Sequence, residues 1–109
     1  MTKKKEKNMT LAQLRYVITV SQVGTLSEAA KRLYISQPSL TNAIKELEKE
    51  LGITIFIRTN KGVILSRQGE EFLGYARQVI EQTNLIEEKY LQDHNLSLIH
   101  ISEPTRQAE

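Results

Sequence analysis

The sequence predicts a mainly α-helical fold: three short helices, a two-stranded hairpin and one long final helix. Three observations lead there. Capping residues and glycines divide residues 9–52 into three segments whose apolar side chains recur at helical spacing. After Gly52 the pattern switches to short β-branched runs around a turn, and from Ser66 a helical repeat of apolar residues continues to residue 93.

Each element has a local cause. Thr10 and Gln13 form a capping box, and Leu11, Leu14, Val17 and Ile18 follow at helical spacing until Gly24 ends the first helix. Ser27 is expected to cap a short second helix, EAAKRLY, in which Ala29 and Ala30 permit close approach to a neighbour. Ser36 caps a third helix that runs to Gly52. In ITIFIRTNKGVILS, two apolar runs flank Thr59-Asn60-Lys61-Gly62, a hairpin turn with Gly62 at positive φ. Ser66 then caps a fourth helix of about 27 residues, roughly 40 Å long at 1.5 Å per residue.

Composition bounds the function. The chain has 109 residues, room for one small domain plus an appendage, with a modest core that self-association would reinforce. It has no Cys, which removes disulfides and thiolate metal sites and suits a reducing cytoplasm. No apolar run is long enough to span a membrane, and the basic start MTKKKEKN is followed by no apolar segment, so residues 1–8 read as a disordered arm. Charge is unevenly placed: residues 9–65 hold seven basic and four acidic side chains, residues 66–95 three basic and six acidic. A basic half beside an acidic half is compatible with a polyanionic partner at one end, though weakly so.

The third helix carries the sharper signal. At about 100° per residue, Leu40, Ile44, Leu47 and Leu51 share a stripe roughly 60° wide, while Pro38, Asn42, Lys45 and Lys49 lie opposite, flanked by Ser39 and Thr41. Acidic residues enter only at Glu46, Glu48 and Glu50. The first two turns therefore offer short polar side chains, a positive dipole end and a Lys, which suits insertion into a DNA major groove about 12 Å wide. Pro38 costs little there, because a first-turn N–H has no intrahelical partner to lose. An ordinary solvated helix face explains this helix equally well by itself. The order of elements breaks the tie: a short Ala-rich helix, a tight connection, a capped helix, then a hairpin with Arg58 and Lys61 near its tip. That order matches a winged helix-turn-helix.

The segment LAQLRYVITVSQVGTLSEAAKRLYISQPSLTNAIKELEKELGITIFIRTNKGVILSRQGEEFL resembles the N-terminal DNA-binding domain of LysR-type transcriptional regulators. Its markers are QLRY, GTLSEAAKRLYISQPSLTNAIKELEKELG and IFIRTNKGVILSRQG, and the likeness covers residues 9 to about 92. The resemblance implies double-stranded DNA as partner and no cofactor. It places Gln37, Pro38, Thr41 and Asn42 at bases or nearby backbone in the major groove and Arg58 near the minor groove. Ser36 and Ser39 become phosphate or capping residues, and Lys31, Lys45 and Lys61 backbone contacts. Asn42 departs from a position where many relatives carry a longer basic side chain, so the resemblance does not carry over an operator preference. Ile55 and Ile57 stand where Leu and Glu or Ala are frequent.

In the fourth helix Phe72, Ala76, Val79, Thr83, Ile86 and Tyr90 alternate steps of four and three, a heptad-like seam widened by Leu73 and Ile80. Three short helices cover only part of such a stripe, and the rest needs a partner surface. The resemblance implies a homodimer paired through this linker helix, meeting a pseudo-palindromic site; an absent domain of the same chain is the other candidate cover. Thr83 weakens the seam somewhat. Relatives also carry a larger α/β domain that binds a small-molecule effector, and the resemblance implies that this region is missing here.

The tail reads differently. LSLIHISEPTR, residues 96–106, resembles the in-frame translation of a transposase-type sequencing-library adapter, and an index sequence accounts for Gln107, Ala108 and Glu109. Residues 94–109 are expected to be disordered, with 96–109 artefactual and without functional weight.

Enzyme chemistry finds no support. His94 and His100 are isolated, and no nucleophile–base pair, phosphate-cradling Gly loop or metal-ligand spacing occurs. The acids of EKELG and the Glu70-Glu71 pair read as solvated helix charge. A helical oligomerisation module whose basic face binds acidic partners is the remaining rival. A MarR-like winged helix would carry flanking dimer helices at both ends, and none precedes the first helix. The expected location is the bacterial cytoplasm, at the nucleoid.

Overall fold

The computed structural model describes residues 9–99, with side chains for residues 9–91. The basic arm of residues 1–8 and residues 100–109 of the tail lie outside the described residues. Helices α1 (Leu11–Val23), α2 (Leu26–Leu33) and α3 (Gln37–Leu51) precede strands β1 (Phe56–Thr59) and β2 (Gly62–Leu65) and helix α4 (Arg67–Ile99). This is a mainly helical winged helix-turn-helix followed by a linker helix. The chain divides into two compact units, the first ending at Gln78 and the second beginning at Val79.

Caps set the helix ends. Thr10 Oγ1 accepts from Gln13 N–H (3.1 Å) while Gln13 Oε1 accepts from Thr10 N–H (2.9 Å), completing the capping box. The cap of the second helix lies two residues before the expected Ser27. Thr25 is extended (φ −138°) and its hydroxyl accepts from Glu28 N–H at 3.2 Å, so Thr25 and not Ser27 is the cap. The expectation failed because Thr25 and Glu28 already form the Thr-x-x-Glu signature, and Ser27 falls inside the first turn. That helix also stops at Leu33, with Tyr34 in the left-handed region at φ 61°. Gly24 and Gly52 end α1 and α3 in the same region, as their positions predict.

The core of the first unit has two parts. Val20, Ala29, Ala30, Leu40 and Ile44 join α1, α2 and α3, with Leu26, Ile35, Phe56 and Val63 packed around them. Val17, Leu47, Ile55 and Leu73 form the second cluster, with Ile53, Leu65 and Phe72 against it. Buried Gln13 joins α1 to α3, its Nε2 donating to the Ala43 carbonyl at 3.2 Å. Two residues expected inside lie largely outside: Leu51 is 38% exposed and Leu11 43%. Each occupies a terminal turn, where the stripe runs past the neighbouring helices.

The wing is an antiparallel pair in register Phe56↔Leu65, Ile57↔Ile64, Arg58↔Val63 and Thr59↔Gly62. One bond ties its second strand to the α1–α2 connection, and another extends the ladder past its base. Val63 N–H donates to Gly24 O at 2.9 Å, and Ser66 N–H donates to Ile55 O at 2.9 Å. Two glycines allow this closeness: a Cβ on Gly62 would sit 2.2 Å from Gly24 O, and one on Gly69 would sit 2.2 Å from Ile55 O. Ser66 accepts from Gly69 N–H (2.8 Å) and so caps α4.

Helix α4 is longer than its sequence pattern suggests, continuing through residues 94–99 where a tail was expected. No Gly or Pro interrupts the chain between Gly74 and Pro104, so nothing local stops it. The part of α4 within the first unit buries Leu73 and Ala76. In the second unit Ile80 is buried, whereas Val79, Leu85, Ile86, Tyr90 and Leu91 are exposed.

Candidate nucleic-acid interface

The α2–α3 connection is three residues long and shaped by one unusual conformation. Tyr34 N–H donates to the Lys31 carbonyl at 3.1 Å and Ile35 N–H to the Ala30 carbonyl at 3.1 Å, closing α2 while Ile35 turns into the core. A non-glycine residue in the left-handed region is uncommon, and here it directs the Tyr34 ring outward, 94% exposed. Ser36 then starts α3. Its Oγ accepts from Ser39 N–H (3.1 Å) and donates to Ser39 Oγ (2.9 Å), and its carbonyl accepts from Leu40 N–H (3.1 Å). Pro38 has no N–H. Of the amides a helix start normally leaves without an intrahelical partner, that of Ser39 is satisfied by the Ser36 hydroxyl.

Orientation follows from packing. Leu40, Ile44 and Leu47 are buried, which turns Gln37, Pro38, Ser39, Asn42, Lys45 and Lys49 outward. Thr41 is half-buried at the edge of that face. Lys31 on α2, Arg58 on β1 and Lys61 at the wing tip are exposed as well. The tip is ordered by Thr59, whose hydroxyl donates to Gly62 O and accepts from Lys61 N–H, both at 3.2 Å.

Between α3 and the wing runs a groove of about 110 Å³. Leu26, Ile44, Phe56 and Val63 form its apolar lining, and Thr41, Lys45, Glu48 and Arg58 its polar lining. The structure thus brings Thr41, Lys45 and Arg58 to one place, with Asn42 and Pro38 beside them on the outer face of α3. Glu48 corrects the sequence reading of its segment: it is not solvated charge. Its Oε2 accepts from Ile55 N–H at 2.7 Å and Phe56 N–H at 3.2 Å. No sequence signal marks this role, because the bond reaches across the α3–β1 connection and ends on backbone.

The description "Bacterial regulatory helix-turn-helix protein, lysR family" matches residues 11–70. The chain belongs to that family. As a lysR-family helix-turn-helix it is a DNA-binding part of a transcription regulator and not an enzyme. It is 44% identical over 77 residues, 71% of its length, to the HTH-type transcriptional regulator ClcR of Pseudomonas putida. It spans 26% of that relative. Among solved structures it is similar to the CbnR DBD–DNA complex, at 34% identity and TM-score 0.72, covering 79% of this chain and 99% of that one. The BenM DBD/benA site 1 DNA complex is similar at 30% identity and TM-score 0.73, covering 79% of this chain and 97% of that one.

The seam predicted for α4 is divided by the structure. Phe72 and Ala76 face the first unit's own core, half-buried and buried respectively. Thr83 is half-buried, and its hydroxyl donates to the Val79 carbonyl at 3.0 Å. Val79, Ile86 and Tyr90 remain exposed, and so does Tyr75, which the sequence reading passed over. Among the described residues no helix is long and apolar enough to cross a membrane.

Proposed function

We propose that this lysR-family domain reads double-stranded DNA by placing the first two turns of α3 in the major groove and the wing against the adjacent minor groove or backbone. One observation carries the reading: the leucine side of α3 is buried, so its Gln37, Pro38, Thr41 and Asn42 side is available to a duplex. Gln37 and Asn42 can each pair with an adenine edge, Lys31, Lys45 and Lys61 neutralise phosphates, and Arg58 approaches from the wing. Ser36 and Ser39 bond each other at the helix start, where the positive end of the dipole favours a phosphate.

On the exposed part of α4, Val79, Thr83, Ile86 and Tyr90 fall within about 60° of one another at 100° per residue. A second copy of the helix covers such a stripe, giving a homodimer on a pseudo-palindromic operator. An effector domain, if the intact protein resembles ClcR in length, belongs to sequence beyond this chain.

The test is retention of duplexes from a random library by the 109-residue chain. Enrichment that is lost when Gln37 and Arg58 are both changed to Ala supports the reading. Equal retention by both proteins makes the domain a general interaction module with a basic face.

A further inference from the structure

Glu48 lies one residue past fully buried Leu47, in the half of α3 that points away from the proposed duplex. Its carboxylate accepts from the N–H groups of Ile55 and Phe56, the residues that lead into β1. These two bonds join the start of the wing to α3. Arg58 follows Phe56 by two residues, so both side chains point to the same face of the strand, and both line the groove that Lys45 and Thr41 line from α3. The other strand is fixed to a different element, through Val63 N–H and Gly24 O.

We propose that Glu48 is a positioning residue for DNA recognition: its carboxylate sets the distance between the recognition helix and the wing, and so delivers Arg58 to the duplex in register with Asn42. The inference rests on the DNA reading above. Two features give it force. Hydrogen bonds to a carboxylate are roughly twice as strong as neutral ones, and a pair of them to successive amides fixes direction as well as distance. Both bonds also engage one oxygen of an acidic group that lines the same groove as Lys45 and Arg58, which lessens the repulsion an unbonded Glu at this place would exert on phosphates.

A residue that merely stabilised the fold would lower DNA affinity by the same factor whatever the wing carries. A positioning residue acts through Arg58, and its effect vanishes when Arg58 is gone. The experiment is a double-mutant cycle on the 109-residue chain, using a duplex the wild-type chain selects from a random library. Glu48→Ala is expected to weaken binding about tenfold, the size of a lost specific contact, and less than about twofold in the Arg58→Ala background. The Asn42→Ala effect is expected to be the same with Glu48 or Ala at position 48. Glu48→Gln keeps an acceptor oxygen and is expected to recover most of the loss. It also serves in the cycle if Glu48→Ala melts below the assay temperature. Equal losses from the position-48 substitution with and without Arg58 overturn the positioning role and leave the DNA reading intact. Failure of the wild-type chain to select any duplex overturns the DNA reading itself.

Discussion

Changing Gly62 to Ala tests the seating of the wing without touching any side chain proposed to meet DNA. The new Cβ would stand 2.2 Å from the Gly24 carbonyl oxygen and 3.1 Å from Thr25 Cγ2. The nearest atom is backbone, so no rotamer change relieves the clash, and the wing must retreat by roughly 1 Å to regain ordinary contact. That movement breaks the 2.9 Å bond from Val63 N–H to the same oxygen. Gly62 also has φ 146°, a region almost closed to residues with a Cβ. Backbone strain of about 1–3 kcal/mol and a lost bond of about 1–3 kcal/mol give a cost of about 2–6 kcal/mol. For a domain of this size each kcal/mol lowers Tm by about 4–8 °C, so the variant is expected to melt at least ~8 °C below wild type. The assay is thermal denaturation followed by circular dichroism at one fixed protein concentration, because self-association shifts Tm by mass action. Lys61→Ala, an exposed neighbour, is the control. A Gly62→Ala melting point within about 3 °C of wild type would refute the claim that the wing is seated on the α1–α2 connection.

Other substitutions separate the proposed roles. Asn42→Ala is expected to relax base preference at one position of the selected duplex while leaving the others, seen by repeating the selection with the variant. Lys45→Ala and Lys61→Ala are expected to weaken all duplexes alike, each lowering the slope of log affinity against log salt by about 1. A variant that changes preference instead places its Lys at a base. Ile86→Asp puts a charge in the exposed stripe of α4, and sedimentation equilibrium is expected to shift toward monomer with helix content retained. An unchanged association constant removes the α4 seam as the dimer contact.

Much of this was legible because local rules and tertiary needs agree. The capping box at Thr10, the Ser36 cap, the glycine stops and the Asn60-containing turn all depend on side chains acting on backbone within a few residues, and such signals survive in a linear reading. The stripe of Leu40, Ile44 and Leu47 fixed which side of α3 is free. Failures came where two local signals competed or where the interaction was long-range. Thr25 and Ser27 both suit a cap, and Glu28 decides between them by its spacing. Tyr34 takes a left-handed conformation usually left to Gly or Asn, which its identity does not announce. Glu48 sits among other acids, and only the fold reveals that it reaches two amides of the wing. In α4 the repeat identified an apolar stripe, but not that Phe72 and Ala76 would turn to the chain's own core and leave Val79, Ile86 and Tyr90 uncovered.

The orientation of α3 toward DNA is tested most directly by amide chemical-shift mapping of the ¹⁵N-labelled 109-residue chain during titration with its selected duplex. The expected result is that the largest changes fall on residues 37–45, with a second group at residues 58–62, and that raising salt weakens binding with a slope of about −3 for contacts from Lys31, Lys45 and Lys61. Changes confined to α4, or spread without regard to the outer face of α3, would contradict it.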